Sequence, residues 1–173
     1  MERRSMDTTT SQPARVPELI MRRPVPPVTS IVVGVDGSAA AAAAVRWAAA
    51  EACRRQVVLR ILSAWDEPDW PGPAARAGDP ALIAARRVQK ALARVLGQPR
   101  FPRRIACATP RGHPGLALLT EAGRSGLLVL GMTGIGAAAA PGRVNRYCLW
   151  RARCPLVFVP AAHASWHQVT ERR

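Results

Sequence analysis

Ile31-Val32-Val33-Gly34-Val35 carries no polar side chain at any position. A strand with one face in water alternates apolar and polar residues. A run without alternation fits a strand covered on both faces, as in a parallel sheet. Similar short runs recur at Val57–Leu62, at Leu127–Leu130 and at Pro155–Val159, with a weaker one at Arg103–Ala108. Helix-forming stretches separate them. The first, 39–54, opens on a run of six alanines followed by Val45, Trp47 and Ala48. Alanine is the best helix former and lets a helix lie close to a sheet. The predicted order is β-α-β-α-β-α-β-α-β. Such alternation implies parallel strands joined by right-handed crossovers. The expected fold class is therefore α/β: a five-stranded parallel sheet with helices on both faces, a Rossmann-like three-layer sandwich.

Local signals punctuate this order. Asp36-Gly37-Ser38 reads as a turn, with Ser38 placed to cap the first helix. Gln56 is expected to open the second strand. Residues 63–78 read as a loop, because Pro68, Pro71, Gly72 and Pro73 forbid regular structure there. Trp65 and Trp70 flank it and are expected to be covered by it. Asp79-Pro80 is a cap followed by a first-turn proline. The helix they start should bury Ala85, Val88, Leu92 and Val95, and Gly97 should end it. Arg87, Lys90 and Arg94 then fall on its opposite face. Gly112-His113 is a turn, with His113 expected in solvent, and Pro114 begins a helix through Leu116, Leu119 and Ala122. Val144, Cys148 and Ala152 mark one face of the last helix. Residues 1–29, rich in proline and arginine, are expected to form a disordered tail. The domain runs over 30–160, and 161–173 is a polar tail.

The 173 residues carry a formal charge of +14, almost all of it from arginine, since Lys90 is the only lysine. A basic surface invites polyanions. The face bearing Arg87, Lys90 and Arg94 is where nucleic acid would associate. No long basic run and no aromatic interleaving accompanies the charge, so a solvated face is expected instead and nucleic acid is not the expected partner. No apolar run approaches the ~18 residues of a membrane span. The arginine-bearing N-terminus lacks the apolar core of a secretory signal, so the expected location is cytoplasmic. Cys53, Cys107, Cys148 and Cys154 form no CxxC pair and are expected as buried free thiols. His163 and His167 have the spacing of a helical metal pair but no third ligand, so no metal site is expected. No phosphate loop of the Walker type, nucleophile elbow or paired carboxylates appear, and no catalytic residue is assigned.

Chemistry is expected at one place. Ligands of open parallel sheets bind beyond the carboxyl ends of the strands, where the strand order reverses. The fourth strand ends in Gly131-Met132-Thr133-Gly134-Ile135-Gly136, and the first ends in Asp36. Glycines let backbone N–H groups approach a phosphate closely. Asp36 is suited to accept hydrogen bonds from an adenine amino group or a ribose hydroxyl; its other role is to cap the first helix together with Ser38.

Three stretches resemble the universal stress protein family, across about Ser30 to Pro160. They are Ile31 to Ser38, Ser63-Ala64-Trp65, and Leu127 to Gly134 with Gly142 and Cys154 to Val159. The resemblance implies an adenine-nucleotide alpha-hydrolase-like sandwich, frequent homodimers paired through the last strand, and ATP bound without rapid turnover. The family motif is Gly-x2-Gly-x9-Gly-Ser/Thr. Gly131 and Gly134 fill its first two positions. Gly142 matches the third, because Val144, Asn145 and Arg146 continue the pattern. Seven residues rather than nine then separate Gly134 from Gly142, and Arg143 stands at the hydroxyl position. By the same resemblance Asp36 and Ala64 border the adenosine. Leu130, Gly131 and Gly134 hold ribose and phosphates, with Gly142, Arg143 and Val144 further along. The implied function is a non-catalytic, adenine-nucleotide-binding or sensing stress-response protein. The shortened loop and Arg143 leave open a protein-interaction module that binds no nucleotide.

Overall fold

The computed structural model describes residues 27–66, 78–123, 126–132 and 142–161. Over these residues strands and helices alternate strictly. The order is β1 (Ser30–Gly34), α1 (Ala39–Arg55), β2 (Val58–Leu62), α2 (Pro80–Leu96), β3 (Ile105–Ala108), α3 (Pro114–Ala122), β4 (Gly126–Met132), α4 (Arg143–Arg151) and β5 (Leu156–Pro160). All pairings are parallel and the sheet order is β3-β2-β1-β4-β5. The chain runs outward from β1 through β2 to β3, then returns to the other side of β1 for β4 and β5. The order reverses between β1 and β4, which pair from Ser30↔Gly126 to Val33↔Val129.

The non-alternating runs are explained by two cores, one on each face of the sheet. Ile31, Val33, Leu59, Ile61 and Val129 pack under α1 and α2, against Ala44, Ala48, Val88 and Val95. Val32, Leu62, Leu128 and Leu130 face the other way, against Leu118 and Ala122 of α3 and Cys148 of α4. Ile31, Val32, Val33, Leu59, Ile61 and Leu128 are wholly covered. Each such side chain contributes ~1.5–3 kcal/mol by leaving water. In α1 the inward alanines let the helix lie directly on β4. A Cβ on Gly131 would sit 2.4 Å from the Ala40 carbonyl carbon.

Capping follows the turn residues. Ser38 Oγ accepts the Ala41 N–H at 3.1 Å, and the Asp79 carboxylate accepts the Ala81 N–H at 2.9 Å ahead of Pro80. His113 also caps: its Nδ1 accepts the Leu116 N–H at 3.3 Å, although the side chain is exposed as expected. Gln56 does not open β2. It closes α1 at φ 57°, in the left-handed region, with its N–H reaching the Ala52 and Cys53 carbonyls.

The buried row of α2 is Ala84, Val88, Ala91 and Val95. Ala85 and Leu92, expected inside, are only half-buried, because Ala84 and Ala91 beside them share the inward face with Val88 and Val95. The four cysteines are free, but only Cys148 is buried. Cys53 and Cys154 are half-buried, and Cys107 is exposed on the sheet-edge strand β3. β4 continues past Leu130 because Gly131 and Met132 pair with Val159 and Pro160 of β5. Both expected tails lie wholly or largely outside the described residues, as do Trp70, His163 and His167. Among the described residues no helix is long and apolar enough to cross a membrane.

Candidate functional site

The reversal between β1 and β4 opens a cavity of about 160 Å³ at the carboxyl end of the sheet. Its floor is made by strand ends: Gly34 and Val35 from β1, Leu62 from β2, and Leu130 with Gly131 from β4. A Cβ on Gly34 would come within 3.0 Å of Leu130 Cδ2 and 3.1 Å of Leu118, so the glycine keeps that floor low. Ala64 and Leu118 add apolar wall.

Polar groups enter from the rim. Asp36 is exposed, and its Oδ1 accepts the Ser38 N–H at 2.9 Å. Gly37, at φ 89°, makes the sharp turn between them. Val144 and Asn145 come from the first turn of α4. Asn145 is only 9% exposed, and its Nδ2 donates to the Gly131 carbonyl at 2.9 Å. That bond ties the start of α4 to the end of β4. Gly142 caps α4 without a side-chain hydrogen bond, so the first N–H groups of the helix keep their donor capacity. Arg87 reaches the same cavity from α2.

Asp36, Ala64, Leu130, Gly131 and Val144 thus meet on one cavity. Gly142 and Arg143 do not line it; both are exposed at the head of α4. Gly134 lies outside the described residues, as does most of the glycine-rich turn. Ser38, Arg87 and Asn145 line the cavity but were not expected there. Ser38 and Asn145 had signals, as a helix cap and as part of the motif around Gly142. Arg87 had none, because its position on α2 reads as solvent-facing.

The surrounding groups are structural. Trp65 Nε1 donates to the Thr109 carbonyl at 2.9 Å, and the Arg111 guanidinium lies 5.7 Å from the Trp65 ring. His113 packs on Tyr147 with ring centroids 4.4 Å apart. Below α4, burial first and then the neighbouring Cys154 push the Cys148 thiol up to about 11. It stays protonated and acts as packing. Among the described residues no group of three or more His, Cys, Asp or Glu side chains is arranged to hold a metal ion.

Comparison with known proteins meets this geometry. The model of the universal stress protein family matches residues 27–160. A universal stress protein of Mycobacterium tuberculosis is 29% identical over 149 residues, covering 83% of this chain and 54% of the relative. The chain spans about half the length of the curated relatives it matches. Universal stress protein UspA from Lactobacillus plantarum has the same fold, with a TM-score of 0.61 and 26% identity over 77% of this chain and 98% of that one. The universal stress protein from Archaeoglobus fulgidus in complex with dAMP aligns with a TM-score of 0.55 and 23% identity over 76% of this chain and 97% of its own. This chain belongs to the universal stress protein family.

Proposed function

We propose that the crevice between β1 and β4 holds an adenine nucleotide, ATP or a shorter form, and that the protein acts by binding it rather than turning it over. The observation that carries this is the convergence of Asp36, from the end of β1, with Gly131 and the head of α4 on one cavity at the strand-order reversal. The donor set suits such a ligand. Asp36 supplies an acceptor for amino or hydroxyl hydrogens. Val35, Leu62 and Ala64 supply apolar surface for a base. The N-terminus of α4 and Arg87 supply positive potential for phosphate. Support also comes from structural relatives whose complexes contain cAMP, AMP and dAMP.

The proposal of binding without turnover is supported by what lines the cavity among the described residues. Asp36 is the only carboxylate among the described lining residues, and a helix-leading turn already engages it. Among the described lining residues no second carboxylate or histidine stands beside it to activate water. Two copies pairing through the outer edge of β5 are the proposed assembly, with a stress-linked protein partner and a cytoplasmic setting.

The test is calorimetric titration of the full chain with AMP, cAMP, ATP and GTP, with phosphate release followed in parallel. Expected are saturable adenine-nucleotide heats, weakened by Asp36→Ala, and no phosphate release. Absence of heat up to millimolar ligand sinks nucleotide binding. A second reading, a protein-binding module, is favoured by one observation: Trp150 is 83% exposed, beside Leu149 on α4 and near Leu116 on α3.

A further inference from the structure

A second cavity, of about 300 Å³, lies between α1 and α2 and is continuous with the crevice. The two share Val35, Ser38, Ala41 and Arg87. Its floor is apolar, from residues such as Ala42, Val45 and Ile83. One wall is different: Arg86, Arg87, Lys90 and Arg94 all line it from α2, and among the described residues no carboxylate lines it. At 1.5 Å per residue these four cations extend over about 12 Å of helix. None of them belongs to the ion pairs of the described residues, which join Glu51 to Arg54 and Arg55, and Arg60 to Glu121. The opposite wall begins at the N-terminus of α1, whose first turn holds no acidic side chain. Its helix dipole adds positive potential on that side.

Four like charges held along one groove raise each other's energy, and a multivalent anion relieves that cost. A single carboxylate would leave most of the repulsion in place. A nucleic-acid strand needs stacking surfaces for its bases, and among the described residues no aromatic side chain lines this groove. We propose that the α1–α2 groove is a second anion site that takes a short chain of linked phosphates, distinct from the crevice and coupled to it through Arg87. The shared lining supports the coupling, since the Arg87 side chain borders both cavities.

The test is titration of the full chain with sodium tripolyphosphate and, separately, with AMP, at low and at moderate salt. The double variant Lys90→Gln/Arg94→Gln, which touches only the groove, is expected to weaken tripolyphosphate by at least about tenfold. It is expected to leave AMP unchanged. Arg103→Gln/Arg104→Gln removes the same charge beside β3 and is expected to leave both unchanged. Arg87→Gln is expected to weaken both ligands. Equal loss in the two double variants would reduce the effect to overall charge and overturn the proposal. So would absence of tripolyphosphate binding at low salt, or tighter binding of single-stranded DNA. If AMP does not bind while tripolyphosphate depends on Lys90 and Arg94, the crevice reading fails and the groove stands; the reverse result fails the groove alone.

Discussion

Gly131 sits where a glycine motif and a packing constraint coincide, and Gly131→Ala separates them. The added methyl would lie 2.4 Å from the Ala40 carbonyl carbon, 2.5 Å from the Ala41 nitrogen and 2.7 Å from the Ala40 oxygen. Comfortable heavy-atom contacts lie near ~3.5–4.0 Å, so α1 must retreat from β4 by about 1 Å. All three atoms are backbone, so no side chain can swing aside. Extra atoms in a packed core typically cost ~1–3 kcal/mol, and a clash with helix backbone belongs at the upper end, about 3 kcal/mol. For a domain of this size, that lowers the melting temperature by roughly 10 °C. Scanning calorimetry of the ligand-free protein measures it. Gly142→Ala is the comparison, because among the described residues no heavy atom lies within 4 Å of its added Cβ. It should cost less than about 1 kcal/mol, the scale of a helix-cap change. A Gly131→Ala protein melting within about 2 °C of the parent would refute the packing argument.

Three further outcomes are expected. Asn145→Ala removes the buried bond to the Gly131 carbonyl and should destabilise by about 1–2 kcal/mol, read from urea denaturation midpoints. Hydrogen bonds from Arg54 and then Arg55 hold the Glu51 carboxyl down, from 4.5 to about 2. The folded chain therefore binds fewer protons at this site than the unfolded chain, and its contribution is present above pH 4.5 and lost as pH falls toward 2. Glu51→Gln should flatten that part of the stability profile, as followed by thermal melts across acid pH. Cys148, buried and pushed up to about 11, should resist iodoacetamide at pH 8 in the native protein, while exposed Cys107 is modified first. Peptide mass spectrometry reads the order.

Much of the fold was legible because the strands are short apolar runs and the caps are local. Ser38 and Asp79 act on residues three and two positions away, and Pro114 starts its helix in place, so their neighbours suffice to read them. Gln56 was illegible for the opposite reason. A left-handed cap usually advertises itself as glycine, and here a glutamine takes the conformation. The end of β4 was hidden as well: Gly131 and Met132 read as loop until β5 pairs with them. At the site, Asp36 and Gly131 were legible from the order of the elements, whereas Ala64, Leu130 and Val144 rested on the family resemblance. Arg87 was not legible, because only the packing of α2 beside α1 turns a solvent-facing position toward the crevice. Gly131 was seen as a ligand contact; that it also makes room for α1 needed the helix position.

The inner surface of α1 has a mechanical consequence. Ala40, Ala41, Ala44, Ala48, Ala49 and Ala52 are all buried along it, each ending at a single methyl. These alanines have no rotamers to redistribute, so a larger side chain at any one of them has to move backbone. The helix crosses the central strands with one end beside the crevice and the other at Gln56. Substitutions that enlarge any of its inward methyls should therefore be felt in the backbone.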